Sequence, residues 1–442
     1  MQKVLIISYY FPPAGGSAVQ RVTKFVKYLQ QFHWQPVVLT AREKDFALRD
    51  ESMKADIPGR ISVYRTAAPD LYRVYGRLGK NEKKDHVELS ALAVETGKGS
   101  GLKKLALWMR SAFFIPDARI AWLPFALIEG LRIIQKENIR VIFTTAPPFT
   151  TTLIGGLLSK ITGIPWISDY RDPWTQAYFY YKRPWPVQRI EDGLEKWLLN
   201  GASRVLSINE ILIRNLQTKY GLSLGEKWHV IPNGFDPEDF KQLKPVRNER
   251  FTIVYTGTVN TKMNPVSLFR AVRLWMQSES GLANQIRLVF IGRIGSDVAG
   301  LFRADDLKPM IRIIPHLSHR ECLQHMAAAD LLLLLIPQYP DNRLIMTNKL
   351  FEYMYSGQPI LCLDETSLAA DLIQKTRTGW AHSSSDVRGI CQLLKGCYQR
   401  WKKGQALLQN PADLEAVHRY DRRRTTGELA ALMDALNRIE KD

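Results

Sequence analysis

The chain has 442 residues, with 61 Lys and Arg against 43 Asp and Glu, a formal net charge of +18. A hydrophobic share of 45% and a charged share of 24% exclude a mainly disordered, collagen-like or coiled-coil protein. At about 150 residues per domain, two or three domains are expected. The positive charge points to polyanionic partners: nucleic acid, an anionic membrane surface or phosphorylated substrates.

The first apolar run, Val4 to Tyr9, leads at once into Pro12-Pro-Ala-Gly-Gly-Ser17. A helical period follows, carried by Ala18, Val22, Phe25, Val26 and Leu29. This reads as strand, turn and helix rather than as a secretory leader; in an ordinary strand-to-helix turn Ser17 would be the N-cap. Further strand-like runs lie at 37–40, 141–144, 165–168, 205–208 and 228–231, and again at 252–256, 287–291, 311–314, 331–336 and 360–363. The most apolar of them, Leu331 to Ile336, is bounded by Asp330 and Pro337 and is too short to span a membrane. Strands alternating with helical periods predict an α/β protein with doubly wound parallel sheets.

The pattern runs twice. Turn residues at 232–240 pass into a polar stretch, and a fresh strand begins at Phe251. The expected domains are therefore 1–235 and 251–410, joined by a linker at 236–250, with a helical tail at 411–442. Two Rossmann-like halves of this kind place a cleft between the carboxyl ends of their sheets, where such folds bind ligands. Residues 67–101 break the rhythm with five glycines. Leu102 to Phe114 then reads as an amphipathic helix flanked by Lys103, Lys104 and Arg110, and it predicts docking on an anionic membrane surface together with the aromatic, basic stretch 178–185. An ordinary core stripe fits the same pattern. Cys322, Cys362, Cys391 and Cys397 include no CxxC pair, which suits a reduced, cytoplasmic protein.

Three constellations could carry chemistry. In Tyr9-Tyr-Phe-Pro-Pro-Ala-Gly-Gly-Ser17, Gly15 and Gly16 let backbone approach a ligand, and the helix start favours an anion; an ordinary strand-to-helix turn is the alternative. Neither GxGxxG nor the P-loop pattern is matched. In Ser168-Asp-Tyr-Arg-Asp-Pro-Trp174, Asp169, Arg171 and Asp172 cluster at a strand's carboxyl end, as a ligand site or as a structural ion pair. In Thr347-Asn-Lys-Leu-Phe-Glu-Tyr-Met-Tyr-Ser-Gly357, Lys349 and Glu352 stand three apart on a helix expected from Asn348 to just before Gly357. A lysine there strengthens an anion site, and a glutamate one turn on can accept two hydroxyl hydrogen bonds; a solvated ion pair fits the spacing equally.

The ordered set YYFPPAGGSAVQR, ISDYRDPW, SRVLSINE, HVIPNGFD, IVYTGT and TNKLFEYMYSGQPIL, over roughly residues 1–380, resembles family 4 glycosyltransferases of the two-domain GT-B fold. The resemblance implies two Rossmann-like domains facing a cleft, with a C-terminal helix crossing back to the first. It also implies transfer of a sugar from a nucleotide sugar, a UDP- or GDP-sugar, with retention, to a glycan or lipid-linked acceptor in surface polysaccharide assembly. The donor belongs to the second half, where the Glu352 position binds the ribose, and the acceptor to the first. Gly15 and Gly16 match the loop that approaches the donor diphosphate.

Three departures stand out. Leu344 occupies the place of the first glutamate of the family's EX7E motif, Arg171 that of a histidine common in members, and Thr258 follows Gly257 where an arginine is usual, leaving Lys262 as the nearest cation. The expected catalytic residues are therefore Asp172, Arg171 and Asp169. The expected donor-binding residues are Gly15, Gly16, Thr258, Lys262, Asn348, Lys349 and Glu352. The histidines around Cys322 have a zinc-like spacing, but Ser318-His-Arg-Glu321 is a capping box. No DxD pair is present, so no metal and no cofactor is expected. Such an enzyme would be cytoplasmic, at most peripheral on the inner face of the membrane. An epimerase on the same fold is the rival enzyme reading. A basic nucleic-acid binder is the rival outside enzymes, but no nucleic-acid motif supports it.

Overall fold

The apolar runs at the middle of each sheet form strands buried on both faces, those at the edges are only partly buried, and the helical periods between them supply the covering layers. The structure, a computed structural model, describes residues 1–46, 48–69, 114–176, 183–223, 225–246, 248–315, 317–339 and 342–439. It comprises two compact units. One holds Met1–Pro232 and Arg422–Asp442, the other Asn233–Asp421. The division falls ahead of the expected linker at 236–250, and residues 411–421 belong to the second unit rather than to the tail. The expected helix Leu102 to Phe114 lies outside the described residues except for Phe114, and so does most of the stretch 178–185.

In the first unit, β1 (Gln2–Ile7), β2 (Trp34–Ala41), β3 (Ser62–Thr66), β4 (Val141–Ala146), β5 (Trp166–Tyr170), β6 (Arg204–Ser207) and β7 (Trp228–Val230) make one parallel sheet. Its order is β3-β2-β1-β4-β5-β6-β7, with Val4 paired to Pro36 on one side and Val141 on the other. The strand order therefore reverses between β1 and β4, and the loops after those strands flank a crevice at the carboxyl edge. Helices α1 (Ser17–Leu29), α2 (Leu123–Glu137), α3 (Thr150–Thr162), α4 (Trp185–Gly201) and α5 (Glu210–Tyr220) connect the strands.

The second unit repeats the plan. Its strands are β8 (Phe251–Thr256), β9 (Ile286–Ile291), β10 (Ile311–Ile314), β11 (Leu331–Leu334), β12 (Ile360–Cys362) and β13 (Gly379–Ala381), in the order β10-β9-β8-β11-β12-β13. Every pairing is parallel, and the order reverses between β8 and β11. Helices α6 (Val266–Met276), α7 (His319–Ala328), α8 (Asn348–Ser356), α9 (Leu368–Lys375), α10 (Val387–Lys402) and α11 (Leu414–His418) complete it.

The last helix, α12 (Arg422–Ile439), belongs to the first unit. Leu429, Ala430, Met433 and Leu436 join Val22, Phe25, Val26 and Leu29 of α1 in one buried cluster. The Trp34 indole N–H donates to Asp434 Oδ1 at 2.9 Å, which fixes the helix laterally. Each strand expected from an apolar run forms, with ends shifted by up to three residues. β3 and β13 were not expected: both are short edge strands whose side chains are only partly buried, so their apolar signal is diluted. Among the described residues no helix is long and apolar enough to cross a membrane.

Candidate functional site

The second unit's site is built where β8 gives out. Thr256 ends the strand and Gly257 turns the chain with φ 130°, a conformation L side chains rarely adopt. Its carbonyl packs so closely on Gly292 that a side chain there would collide with it, and a side chain at Gly257 would meet the Lys349 ammonium. Helix α8 starts beside this turn. Its N-cap Thr347 makes no side-chain cap bond and its hydroxyl oxygen is buried without a partner. The first turn holds no acidic residue, so dipole and lysine both favour an anion there.

Lys349 does not point freely into this space. Its ammonium donates to Thr256 O at 2.5 Å and to the Tyr255 hydroxyl at 3.3 Å, and it stands 4.4 Å from the centre of the Tyr255 ring. Burial pushes its pKa down to about 8, against a raising influence from Glu352. Tyr353, on the same helix, receives the Thr256 N–H at 3.0 Å, so α8 holds the end of β8 from two residues. Glu352 is 7% exposed, and its Oε1 lies 2.7 Å from His319 Nε2 at the start of α7. The solvated Lys349–Glu352 ion pair, which the spacing alone also allowed, is not formed: the two side chains take different partners.

Around this core, the exposed Thr258 accepts the Tyr255 hydroxyl through its carbonyl at 2.8 Å. Lys262 stands 5.7 Å over the Tyr339 ring. Asn348 opens α8 as expected, and the helix runs to Ser356 with Gly357 left-handed at its end. The expected capping box Ser318–Glu321 forms. His319 was set aside with the zinc-like spacing; nothing in the sequence says that the first residue of that helix faces Glu352.

The first unit's site lies at the crevice beside β1. Gly15 donates its N–H to Leu48 O at 2.9 Å, and Gly16 caps α1 with φ 96°. The N-cap is thus Gly16 and not Ser17, because the chain must turn there in a conformation open to glycine. At the end of β5 the three charged residues separate. Asp169 is fully buried: its carboxylate accepts from Arg21 Nε and Nη2 at 3.0 and 2.9 Å and from the Thr145 hydroxyl at 2.8 Å. Arg171 is 8% exposed and donates to Ala146 O, Ala18 O and Pro147 O at 3.1, 2.9 and 2.7 Å.

Through these bonds both residues brace the unit from inside. Asp172 is half-buried, and its carboxylate makes no hydrogen bond among the described residues. Burial raises its pKa, opposed by Arg171 and reinforced by Asp169. Arg21 was missed in the sequence, although its position one turn before Phe25, within the apolar stripe of α1, marks a buried charge; its guanidinium lies 5.0 Å from the Phe25 ring centre.

Two parallel, doubly wound units with ligand-edge switch points define a fold class shared with solved structures. A glycosyltransferase from Rickettsia africae aligns with TM-score 0.63 at 12% identity, covering 98% of each chain. Sucrose-phosphate synthase from Thermosynechococcus elongatus aligns with TM-score 0.63 at 14% identity, covering 99% of this chain and 100% of that one. A glycosyltransferase involved in lipopolysaccharide biosynthesis, WaaG, aligns with TM-score 0.57 at 12% identity, covering 97% and 99%. No curated protein sequence matches. The fold is that of the GT-B glycosyltransferases. The model of Glycosyltransferase Family 4 matches residues 83–239.

Proposed function

We propose that the protein moves a glycosyl group, with retention and without a metal, from a UDP- or GDP-sugar to a glycan or lipid-linked acceptor in surface polysaccharide assembly. The observation that carries the donor side is Glu352. A buried carboxylate is held by His319 one turn inside a helix whose start carries a lysine and no acid. Hydroxyls of a ribose suit that carboxylate, and phosphates suit the helix start. Thr258, Lys262 and Asn348 lie on the same loops and first turn.

Departure of the nucleoside diphosphate builds negative charge on the phosphates, and preorganised donors there lower the barrier. Lys349 acts mainly by fixing β8 against α8, and its charge adds to the field felt by the leaving group. In the first unit, Asp172 orients the acceptor hydroxyl, while the Gly15–Gly16 turn before α1 offers close backbone approach to an anion. Peripheral attachment to an anionic membrane surface from the cytoplasmic side would bring a lipid-linked acceptor within reach. Trp185, 68% exposed at the start of α4 with Arg189 5.1 Å from its ring, is a fitting contact.

The test is a panel of UDP- and GDP-sugars incubated with a total lipid extract, read as released nucleoside diphosphate and labelled lipid. Release with Glu352 intact and its loss in Glu352→Gln supports the reading. No turnover and no UDP or GDP binding in calorimetry would overturn it.

A further inference from the structure

A second cluster of ionisable groups lies beneath the loop that carries Asp172, and no step described so far uses it. Glu195 of α4 is fully buried. Its Oε2 accepts from the Thr175 hydroxyl and from the Tyr220 hydroxyl, the latter at 2.6 Å. Its Oε1 is buried without a partner, and so is the Tyr170 hydroxyl at the end of β5. Lys219 reaches into the same cluster, donating to Thr175 Oγ1 and to Asp192 Oδ1, each at 2.5 Å. One turn earlier on α4, Glu191 receives the Trp174 indole N–H at 3.3 Å and pairs with Arg183 Nε at 3.2 Å.

The pattern has a mechanical meaning. Arg171 is tied on one side of Asp172 by three backbone carbonyls. Trp174 and Thr175 are tied on the other side, Trp174 also stacking on Phe149 with ring centres 5.1 Å apart. Asp172 and Pro173 therefore form a short bridge between two fixed ends. A buried carboxylate with an unpartnered oxygen is costly to keep, and a structural role alone would be met as well by an apolar side chain.

We infer that Glu195 is a positioning residue for the acceptor site: through Thr175 it fixes the far end of the Arg171–Thr175 segment and so the direction of the Asp172 carboxylate. The inference rests on the reading that places the acceptor hydroxyl at Asp172. Burial raises the pKa of Glu195, and the groups that face it are Tyr170, Tyr220, Asp192 and Lys219. Glu191 and Arg183 complete the surrounding set. Loss of the carboxylate removes the tie from Thr175 to α4 and leaves the Tyr220 hydroxyl with the longer bond to Asp192 Oδ1 at 3.3 Å, while the Arg171 anchor stays.

The test uses the full chain and three variants, Glu195→Ala, Glu195→Gln and Asp172→Asn. Amide hydrogen exchange is read across 170–176, UDP and GDP affinity by calorimetry, and acceptor KM with a total lipid extract. In Glu195→Ala, exchange at Asp172, Trp174 and Thr175 should rise at least tenfold. Acceptor KM should rise about as much, with nucleotide affinity unchanged. Glu195→Gln, whose amide oxygen still accepts from Thr175 and Tyr220, should recover most of both. Unchanged exchange in Glu195→Ala overturns the inference, as does faster exchange with an unchanged acceptor KM while Asp172→Asn impairs transfer. If Asp172→Asn transfers normally, the acceptor reading itself fails and the inference falls with it.

Discussion

His319 Nε2 lies 2.7 Å from Glu352 Oε1, joining the first turn of α7 to the second turn of α8. One carboxylate oxygen is thereby oriented by an imidazole, and the side chain is held in place before any ligand arrives. Such a bond makes Glu352 a fixed acceptor rather than a mobile surface group. It also changes what substitution there should do. Glu352→Gln keeps the shape and should weaken UDP or GDP binding about ten- to a hundredfold, since hydrogen bonds to a charged acceptor contribute about 1.5–3 kcal/mol. Glu352→Ala should in addition lower stability by about 1–3 kcal/mol, because His319 loses its buried partner. Calorimetry on the glutamine variant decides the matter: wild-type affinity there means that the donor site lies elsewhere.

Lys349 predicts an unusual pair of pH responses. Its pKa in the folded protein, about 8, lies below the ordinary 10.5. Between those values the unfolded chain binds more protons, so stability should rise with pH across that window. The affinity for a nucleoside diphosphate should move the other way, falling up to tenfold per unit above pH 8 as the charge is lost. Lys349→Arg stays charged throughout and should flatten both profiles. Melting curves and UDP titrations at pH 7 to 10 test this, and parallel trends in stability and affinity would contradict it.

The fold was legible because its signal is repetitive: apolar runs such as Leu331 to Ile336 and helical stripes such as that of α1 mark buried strands and covering helices directly. The bounds of α8, from Asn348 to the residue before Gly357, followed from turn chemistry alone. The site was legible only in part. Asp169, Arg171 and Asp172 look alike in sequence, yet one seals an ion pair, one braces carbonyls and one keeps its carboxylate. That sorting depends on Arg21, 148 residues from Asp169, and on the carbonyls after β4. The His319–Glu352 bond likewise joins residues 33 apart on two helices, and no local spacing encodes it.

The tail helix should be needed for the first unit to remain folded. Met433 is fully buried among Leu29, Val26 and the other apolar residues that α1 presents to α12. Truncating it to alanine should cost about 2–5 kcal/mol, as for other large core side chains. Removing residues 422–442 should expose the whole apolar face of α1 and leave the chain insoluble. Denaturant unfolding of Met433→Ala and sedimentation of the truncated chain measure the two effects. A truncated chain that stays monomeric with an unchanged midpoint would show that α12 is dispensable.

Arg21 and Asp169 give the sharpest contrast between a structural and a catalytic reading of the same motif. The guanidinium donates twice to Asp169, and also to Pro232 O and Ile231 O at 2.8 Å each, while Thr145 donates to the same carboxylate. Both side chains are almost wholly out of water, at 1% and 0% exposure. Removing one partner leaves a buried charge uncompensated and costs about 3–5 kcal/mol, whereas replacing both with apolar groups of similar volume is often neutral. Asp169→Ala should therefore lower the unfolding midpoint sharply. The double variant Arg21→Met with Asp169→Leu should regain much of the loss, a coupling that denaturant curves of all four proteins would show. Nucleotide affinity in folded samples should be unaffected, since Glu352 and Lys349 belong to the other unit. If Asp169→Ala instead keeps wild-type stability and abolishes transfer, Asp169 acts on substrate, and its burial in the folded chain must open during turnover.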